Sequence, residues 1–121
     1  MAVLGHGHPR VVNALVEQAS RLSFAPPMHG VADAALDFIE KLGSVTPAGL
    51  NFVKTYSGGS EAMESALKFT RQYFKQSGSP GKYKFISRYQ GYHGGTMGAM
   101  AASGTGVRKT PFEPQMSGFL K

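Results

Sequence analysis

The sequence predicts an α/β fold, and three observations lead to that expectation. Residues 52–56 and 83–87 are short runs rich in β-branched and aromatic side chains, as is typical of strands. Between them, residues 60–76 repeat apolar side chains at helical spacing. Such an order predicts a β-α-β unit with parallel strands over residues 52–87. The chain also holds 16 glycines, which favour tight turns and close backbone contacts over a plain helical bundle.

Two helices are predicted ahead of this unit. Residues 9–22 carry apolar side chains at helical spacing and open with Pro9, which suits a first helical turn. Residues 31–42 repeat the pattern, and Gly43 follows where a helix end favours glycine. These segments are expected to pack as helices against the sheet.

The helix at residues 60–76 is expected to carry an inner face and a solvated face. Glu64 and Lys68 are four residues apart, in the order that favours an ion pair on a helix surface. A second, short helix of small residues is predicted near residues 97–102. The side chains expected on the inner face of the long helix are Ala62, Ala66, Phe69 or Thr70, and Tyr73.

Composition excludes several classes of protein. The 121 residues are 41% apolar, enough for one domain with a core, and no run of about 18 apolar residues predicts a membrane span. The first residues do not form a secretory signal. The absence of cysteine excludes disulfides and thiolate metal sites and suits a cytoplasmic protein. The net charge is +6, but the basic residues are dispersed, so we expect no nucleic-acid partner and no membrane partner.

Residues 6–8, His-Gly-His, carry two side chains of a type that binds metal ions. Two imidazoles two residues apart lack a third ligand at suitable spacing, and zinc sites in proteins need at least three protein ligands. The sequence therefore predicts no metal site.

Residues 57–62, Ser-Gly-Gly-Ser-Glu-Ala, are the strongest functional signal. They lie between a predicted strand and a predicted helix, and helix N-termini attract anions through unpaired N–H groups and the helix dipole. Gly58 and Gly59 would let the backbone approach an oxyanion closely, and Ser60 would add a hydroxyl. The pattern is neither a Walker loop nor a dinucleotide fingerprint. A simple glycine turn before a capped helix remains the alternative.

A second cluster, Tyr92-His93-Gly94, follows the predicted strand at residues 83–87. At the same edge of a parallel sheet, the tyrosine ring could stack on a flat cofactor and the histidine could bond its substituents. The alternative is a core tyrosine with a loop histidine. Ligand sites of α/β sheets collect at the carboxyl ends of strands, which favours one shared site.

Three segments together resemble successive motifs of the class III aminotransferases, which are pyridoxal-phosphate enzymes. The segments are residues 4–9 (Leu-Gly-His-Gly-His-Pro), residues 57–68 with Glu64 and Lys68 in their family positions, and residues 92–96 (Tyr-His-Gly-Gly-Thr). Order and spacing agree over residues 4–104. The resemblance implies part of the large domain of a fold-type-I enzyme, with helices packed on a mostly parallel sheet.

The resemblance also implies roles for individual residues. The cofactor-binding residues would be Gly58, Gly59, Ser60, Tyr92 and His93. The turn would hold the phosphate of pyridoxal 5'-phosphate, Tyr92 would stack on the pyridine ring, and His93 would line the site. Glu61 would have a structural role at the start of the helix.

The family's Schiff-base lysine and the carboxylate that pairs with the pyridine nitrogen are not matched in this sequence. We therefore expect residues 1–121 to be a fragment of one cofactor-binding large domain and, by themselves, to contain no catalytic residue and to be inactive. Its expected parts are leading helices at 9–50, a β-α-β region for the cofactor phosphate at 51–104, and an incomplete part at 105–121.

The expected reaction of the intact enzyme is transamination between an amino donor and a keto acid, in a homodimer. Two alternatives stay open at this point. One is a non-catalytic module that binds pyridoxal phosphate or phosphate, and the other is an aminomutase or racemase of related fold.

Overall fold

The computed structural model describes residues 2–26, 28–104 and 106–121. The chain divides into two compact units, one up to Lys54 and the other from Thr55 onward. Every residue predicted to bind a cofactor lies in the second unit.

The first unit contains the two predicted helices, α1 (Pro9–Arg21) and α2 (Asp33–Gly43). Pro9 occupies the first turn of α1, where its missing N–H is not needed. Arg21 at the end of α1 and Asp33 at the start of α2 form an ion pair, with 3.5 Å between Nη2 and Oδ2. Both predicted helices are confirmed to within two residues.

The second unit builds its core where a long helix packs on a short one. Small side chains allow this close packing, and the buried apolar residues are Leu67 in the long helix with Ala99, Ala101 and Ala102 in the short one. Ser103, directly after the short helix, is also buried. The elements in order are α3 (Gly59–Gln76), β1 (Phe85–Ile86), α4 (Met97–Ala102), α5 (Gly106–Lys109), a 3-10 helix (Thr110–Phe112) and β2 (Phe119–Leu120).

The sheet is parallel, as expected, and one of its two strands was predicted, since β1 lies within residues 83–87. The other strand, β2, was not predicted. Strand β1 pairs with β2, with Phe85 opposite Phe119 and Ile86 opposite Leu120. The two phenylalanine rings stack at 5.6 Å between centroids. The α/β class is therefore confirmed, with the connection between parallel strands running through α4 rather than through α3.

The predicted strand at residues 52–56 is not formed, although the structure describes all of that segment. Strand propensity reflects how side chains fit a pleated surface, and a strand exists only where its backbone pairs with a neighbour. The segment has strand-like composition without such a ladder in this structure. The predicted β-α-β unit over residues 52–87 is wrong in this respect.

The predicted inner face of α3 is also wrong. Phe69 and Tyr73 are 69% and 56% exposed, whereas Leu67 is buried and Glu64 is half-buried. Apolar side chains occur on more than one side of this helix, so periodicity alone does not select the face that packs on α4. Glu64 faces α4 because α4 supplies hydrogen-bond donors to its carboxylate.

Candidate functional site

The N-terminus of α3 forms one half of the candidate site. Residues 58–60, called here the phosphate turn, comprise the N-cap Gly58 and the first two helical residues. The first intrahelical bond runs from the Ala62 N–H to the Gly58 carbonyl, at 3.0 Å. The N–H groups of Gly59 and Ser60 precede it and therefore have no acceptor within the helix. Such groups, with the positive end of the helix dipole, form an anion site.

No side chain caps the N-terminus of α3. This observation speaks against the alternative of a simple capped helix. Gly58 itself is extended, with φ −161° and ψ 172°, a conformation open to any residue. A Cβ atom there would lie 2.7 Å from Oε2 of Glu61, which is the end of a flexible, exposed side chain and could move aside. A Cβ on Gly59 would meet nothing within 4 Å. The backbone at Gly59 is thus open to a ligand.

Residues 92–96, called here the tyrosine loop, form the other half of the site. The backbone N–H of Gly95 donates to Oγ of Ser60 at 2.9 Å, so the loop lies directly against the phosphate turn. The Ser60 hydroxyl accepts this bond and keeps its own proton for a further acceptor. The structure thus brings together the two clusters that the sequence had separated by more than 30 residues.

Gly94 makes this close approach possible. Its φ of 141° is rarely adopted by residues with a side chain, and a Cβ there would lie 2.6 Å from Oγ of Ser60 and 2.8 Å from Cβ of Ala99. Only glycine satisfies both the backbone conformation and the packing. Gly94 therefore gives the loop backbone the room to lie against Ser60.

Tyr92 and His93 have different surroundings. The Tyr92 ring is 67% exposed, so it is not a core tyrosine, and the Arg108 guanidinium lies 5.9 Å from its centroid. His93 is half-buried, and its backbone N–H donates to Oγ of Ser103 at 2.9 Å. The loop therefore presents an aromatic ring at the surface while its backbone is fixed beneath.

The carboxylate of Glu64, on α3, accepts hydrogen bonds from the segment in which the tyrosine loop meets α4. Its Oε1 accepts from Oγ1 of Thr96 at 2.6 Å, from the N–H of Gly98 at 2.8 Å and from the N–H of Ala99 at 3.1 Å. The hydrogen bond from Thr96 is the chief reason why the pKa of the Glu64 carboxyl is lowered, and the two N–H groups add to it against the opposing effect of burial. The carboxylate is therefore held in its charged form.

The predicted pairing of Glu64 with Lys68 is wrong. The carboxylate is directed to α4, and within the described ranges the recorded ion pair is that of Arg21 with Asp33. Local spacing predicts helix-surface pairs, but three donors at the N-terminus of another helix outweigh one solvated lysine.

Sequence reasoning also missed Ser103, Arg108 and Lys121. Lys121 donates from Nζ to the Ala101 and Ala102 carbonyls, at 3.0 and 2.8 Å, at the C-terminal end of α4. Burial, followed by the charge of Lys109, lowers the pKa of the Lys121 ammonium group. None of these three follows a motif, because each is defined by a partner distant in sequence.

The residues present fit a phosphate group better than a metal ion. Two N–H groups without helical acceptors, an open backbone at Gly59 and the Ser60 hydroxyl all suit an oxyanion. In the part of the chain that the structure describes, no three His, Cys, Asp or Glu side chains are grouped so as to hold a metal. No helix among the described residues is both long and apolar enough to cross a membrane.

Comparison with known proteins identifies the family of this chain. The family model for class-III aminotransferases matches residues 1–121. A probable aminotransferase of Mycobacterium tuberculosis is 42% identical over 115 residues, which are 95% of this chain and 25% of that protein. An uncharacterized aminotransferase of Bacillus subtilis is 42% identical over 118 residues, or 97% of this chain and 26% of that protein.

Solved structures agree with the sequence relatives. A transaminase from the marine bacterium Virgibacillus superposes with a TM-score of 0.90 at 34% identity, over 96% of this chain and 26% of that one. A thermostable (S)-enantioselective omega-transaminase from Thermomicrobium roseum gives 0.90 at 33% identity, with the same coverage. The chain spans about a quarter of the length of these relatives. Over all of its residues, the chain belongs to the class-III aminotransferase family.

Proposed function

We propose that the complete protein containing this chain is a pyridoxal-phosphate-dependent aminotransferase, and that this chain supplies the phosphate turn and the ring-stacking tyrosine. The observation that carries the proposal is the 2.9 Å bond between Gly95 and Ser60. It joins the loop that carries Tyr92 to the N-terminus of α3, which supports a single site made from both. A phosphate attached to a flat ring matches both features.

The phosphate role rests on the α3 N-terminus. The Gly59 and Ser60 N–H groups lack helical acceptors, and the Ser60 hydroxyl retains a proton to donate. Gly58 belongs to the same turn as its N-cap residue. Two N–H donors, one hydroxyl and the helix dipole favour the dianionic phosphate without a metal ion.

The ring role rests on Tyr92 and His93. An exposed aromatic face beside an anion site gains area and stacking energy by covering a planar ring. His93, fixed through its backbone to Ser103, lines the same side of the loop in this proposal. The bound cofactor would supply the transfer chemistry, carrying an amino group from the donor to a keto acid. The chain's own residues bind and orient it, and the lysine that reacts with it lies outside residues 1–121.

In this proposal the partners are an amino donor, a keto acid and a second copy of the protein, as a homodimer in the cytoplasm. The 121-residue chain is not expected to turn over substrate by itself. Expressed alone, it is expected to give no transamination above a buffer control, and turnover of an amino donor by the isolated chain would contradict this assignment.

The test measures cofactor binding and turnover by the complete protein. Purified apo-protein is titrated with pyridoxal phosphate by visible absorbance and circular dichroism, and then assayed with amino donors and keto acids. The variant Ser60→Ala removes the hydroxyl donor and is expected to weaken cofactor affinity about tenfold, as for the loss of one hydrogen bond to a charged group. Glu40→Gln, on the exposed surface of α2, is the matched control.

Each outcome of this test favours one class of function over the others. Cofactor-dependent formation of a new amino acid from a keto acid supports the proposal. Tight binding without turnover favours a non-catalytic binding module, and isomerised product without a keto acid favours an aminomutase or racemase. A complete protein that binds no pyridoxal phosphate refutes the assignment.

A further inference from the structure

We propose that Glu64 is a positioning residue, whose carboxylate fixes the tyrosine loop against α3 and so sets where Tyr92 lies relative to the phosphate turn. The inference rests on the function proposed above and adds a residue to it. Glu64 is about one turn of helix beyond Ser60 and is not itself offered as a ligand of the cofactor.

The first step of the argument is geometric. Oε1 of Glu64 accepts three hydrogen bonds, all from the segment that begins at Thr96. Thr96 is the last residue of the tyrosine loop and also the N-cap of α4. One carboxylate therefore holds the point at which the loop becomes helix.

The second step concerns the N-terminus of α4. Thr96 makes no side-chain cap to its own helix, so the free N–H groups of Gly98 and Ala99 are satisfied from outside by Glu64. Hydrogen bonds to a carboxylate are stronger than those to a neutral acceptor, and a negative charge suits this end of a helix. The short helix thus takes its position from α3, the same helix that carries the phosphate turn.

The third step connects Glu64 to Tyr92. The loop has two further anchors, the Gly95 N–H on Ser60 and the His93 N–H on Ser103, and Ser103 is the C-cap of α4. Moving α4 relative to α3 therefore displaces one of these anchors against the other. Tyr92 precedes both, so its ring shifts with the loop.

Gly98 packs directly against the Glu64 carboxylate. Gly98 is buried, and a Cβ there would lie 2.4 Å from Oε2 and 2.8 Å from Oε1 of Glu64. The carboxylate therefore fills the place of a side chain at Gly98. This contact provides a second way to disturb the same carboxylate without changing Glu64.

The experiment uses the complete apo-protein and three variants, Glu64→Ala, Glu64→Gln and Gly98→Ala. Glu64→Ala is expected to raise the Kd for pyridoxal phosphate about tenfold or more, since it removes three bonds to a charged acceptor. Glu64→Gln keeps an Oε1 acceptor without the charge, so its Kd should fall between those of wild type and Glu64→Ala. Gly98→Ala should resemble Glu64→Ala, although alanine is the better helix former. Glu40→Gln serves as the control with unchanged Kd.

Two further readouts separate positioning from mere structural support. The circular dichroism of the bound cofactor should change in Glu64→Ala, because the ring above it is displaced. Hydrogen exchange in the apo-protein should quicken over residues 92–104 but not over α1. Variants are compared at a temperature at which far-UV circular dichroism shows each to be folded, and Glu64→Gln stands in if Glu64→Ala does not fold.

The inference is overturned if Glu64→Ala, or Glu64→Gln in its place, and Gly98→Ala bind the cofactor within twofold of wild type with an unchanged dichroic spectrum. It is also overturned if stability falls while affinity and spectrum stay constant. A wild-type protein that does not bind pyridoxal phosphate refutes the proposed function instead. In that case the hydrogen-exchange result on the apo-protein still decides whether Glu64 fixes the loop.

Discussion

Replacing Gly94 by alanine should separate the tyrosine loop from the phosphate turn. The added Cβ would lie 2.6 Å from Oγ of Ser60, 2.8 Å from Cβ of Ala99 and 3.0 Å from the Ser60 Cα. The last two atoms belong to a buried helix residue and to backbone, so they cannot yield as the end of a flexible side chain would. The loop itself must move, which breaks the bond between Gly95 and Ser60.

The free-energy cost of Gly94→Ala has two parts. A residue with a side chain held at φ 141° costs about 1–3 kcal/mol in backbone strain. Forcing a methyl group into a packed contact costs about 1–3 kcal/mol more. Movement of the loop relieves only part of this cost, and it adds the loss of the hydrogen bond between Gly95 and Ser60, worth about 1 kcal/mol. We therefore expect the local opening free energy of the loop to fall by at least about 2 kcal/mol, combining these contributions.

Gly95→Ala is a matched control, because the neighbouring glycine has no positive φ and its Cβ would meet nothing within 4 Å. Hydrogen exchange of peptides covering residues 92–104 in the complete apo-protein measures the opening directly. A fall of 2 kcal/mol corresponds to exchange about 30-fold faster in Gly94→Ala. If the two variants exchanged within about twofold of each other, the close contact of loop and turn inferred here would be wrong.

Three further expectations follow from individual contacts. The pKa of Glu64 is lowered in the folded protein, so the stability that its charge contributes is present above pH 4.5 and is lost as the pH falls through the folded pKa. The difference in urea midpoint between wild type and Glu64→Gln should therefore shrink in acid. Arg108→Gln removes a cation from the Tyr92 ring and should weaken pyridoxal-phosphate affinity about 2- to 5-fold, whereas unchanged affinity would show that the pair is incidental. Gly104→Ala places a Cβ 2.4 Å from the Arg88 carbonyl and should lower the free energy of unfolding by about 1–3 kcal/mol, which the urea midpoint would report; a midpoint equal to wild type would contradict it.

The sequence by itself determined most helices and the identity of the two functional clusters. Proline at the start of α1 and apolar spacing in α1, α2 and α3 are local signals, and local signals specify where a helix begins and ends. The glycine–glycine–serine turn and the tyrosine loop are likewise compact in sequence. The order and spacing of these clusters gave the resemblance to the class III aminotransferases. The family match over residues 1–121 confirmed that assignment.

Only the tertiary structure decided which elements pair. The segment 52–56 has strand composition but is not one of the strands of the sheet, while Phe119 and Leu120 form the strand beside β1. Strand pairing depends on distant backbone, and no local pattern contains that information. The buried face of α3 was likewise decided by tertiary packing, because apolar side chains occur on more than one side of that helix.

Tertiary structure also decided the role of Glu64. From the sequence it is one member of a common helix-surface pair with Lys68, whereas in the fold it accepts three hydrogen bonds from residues more than 30 positions away. The physical reason is that a charge is stabilised most by the donors that reach it, and which donors reach it depends on packing. The phosphate turn could thus be found from the sequence, but how it is joined to Tyr92 could be found only from the fold.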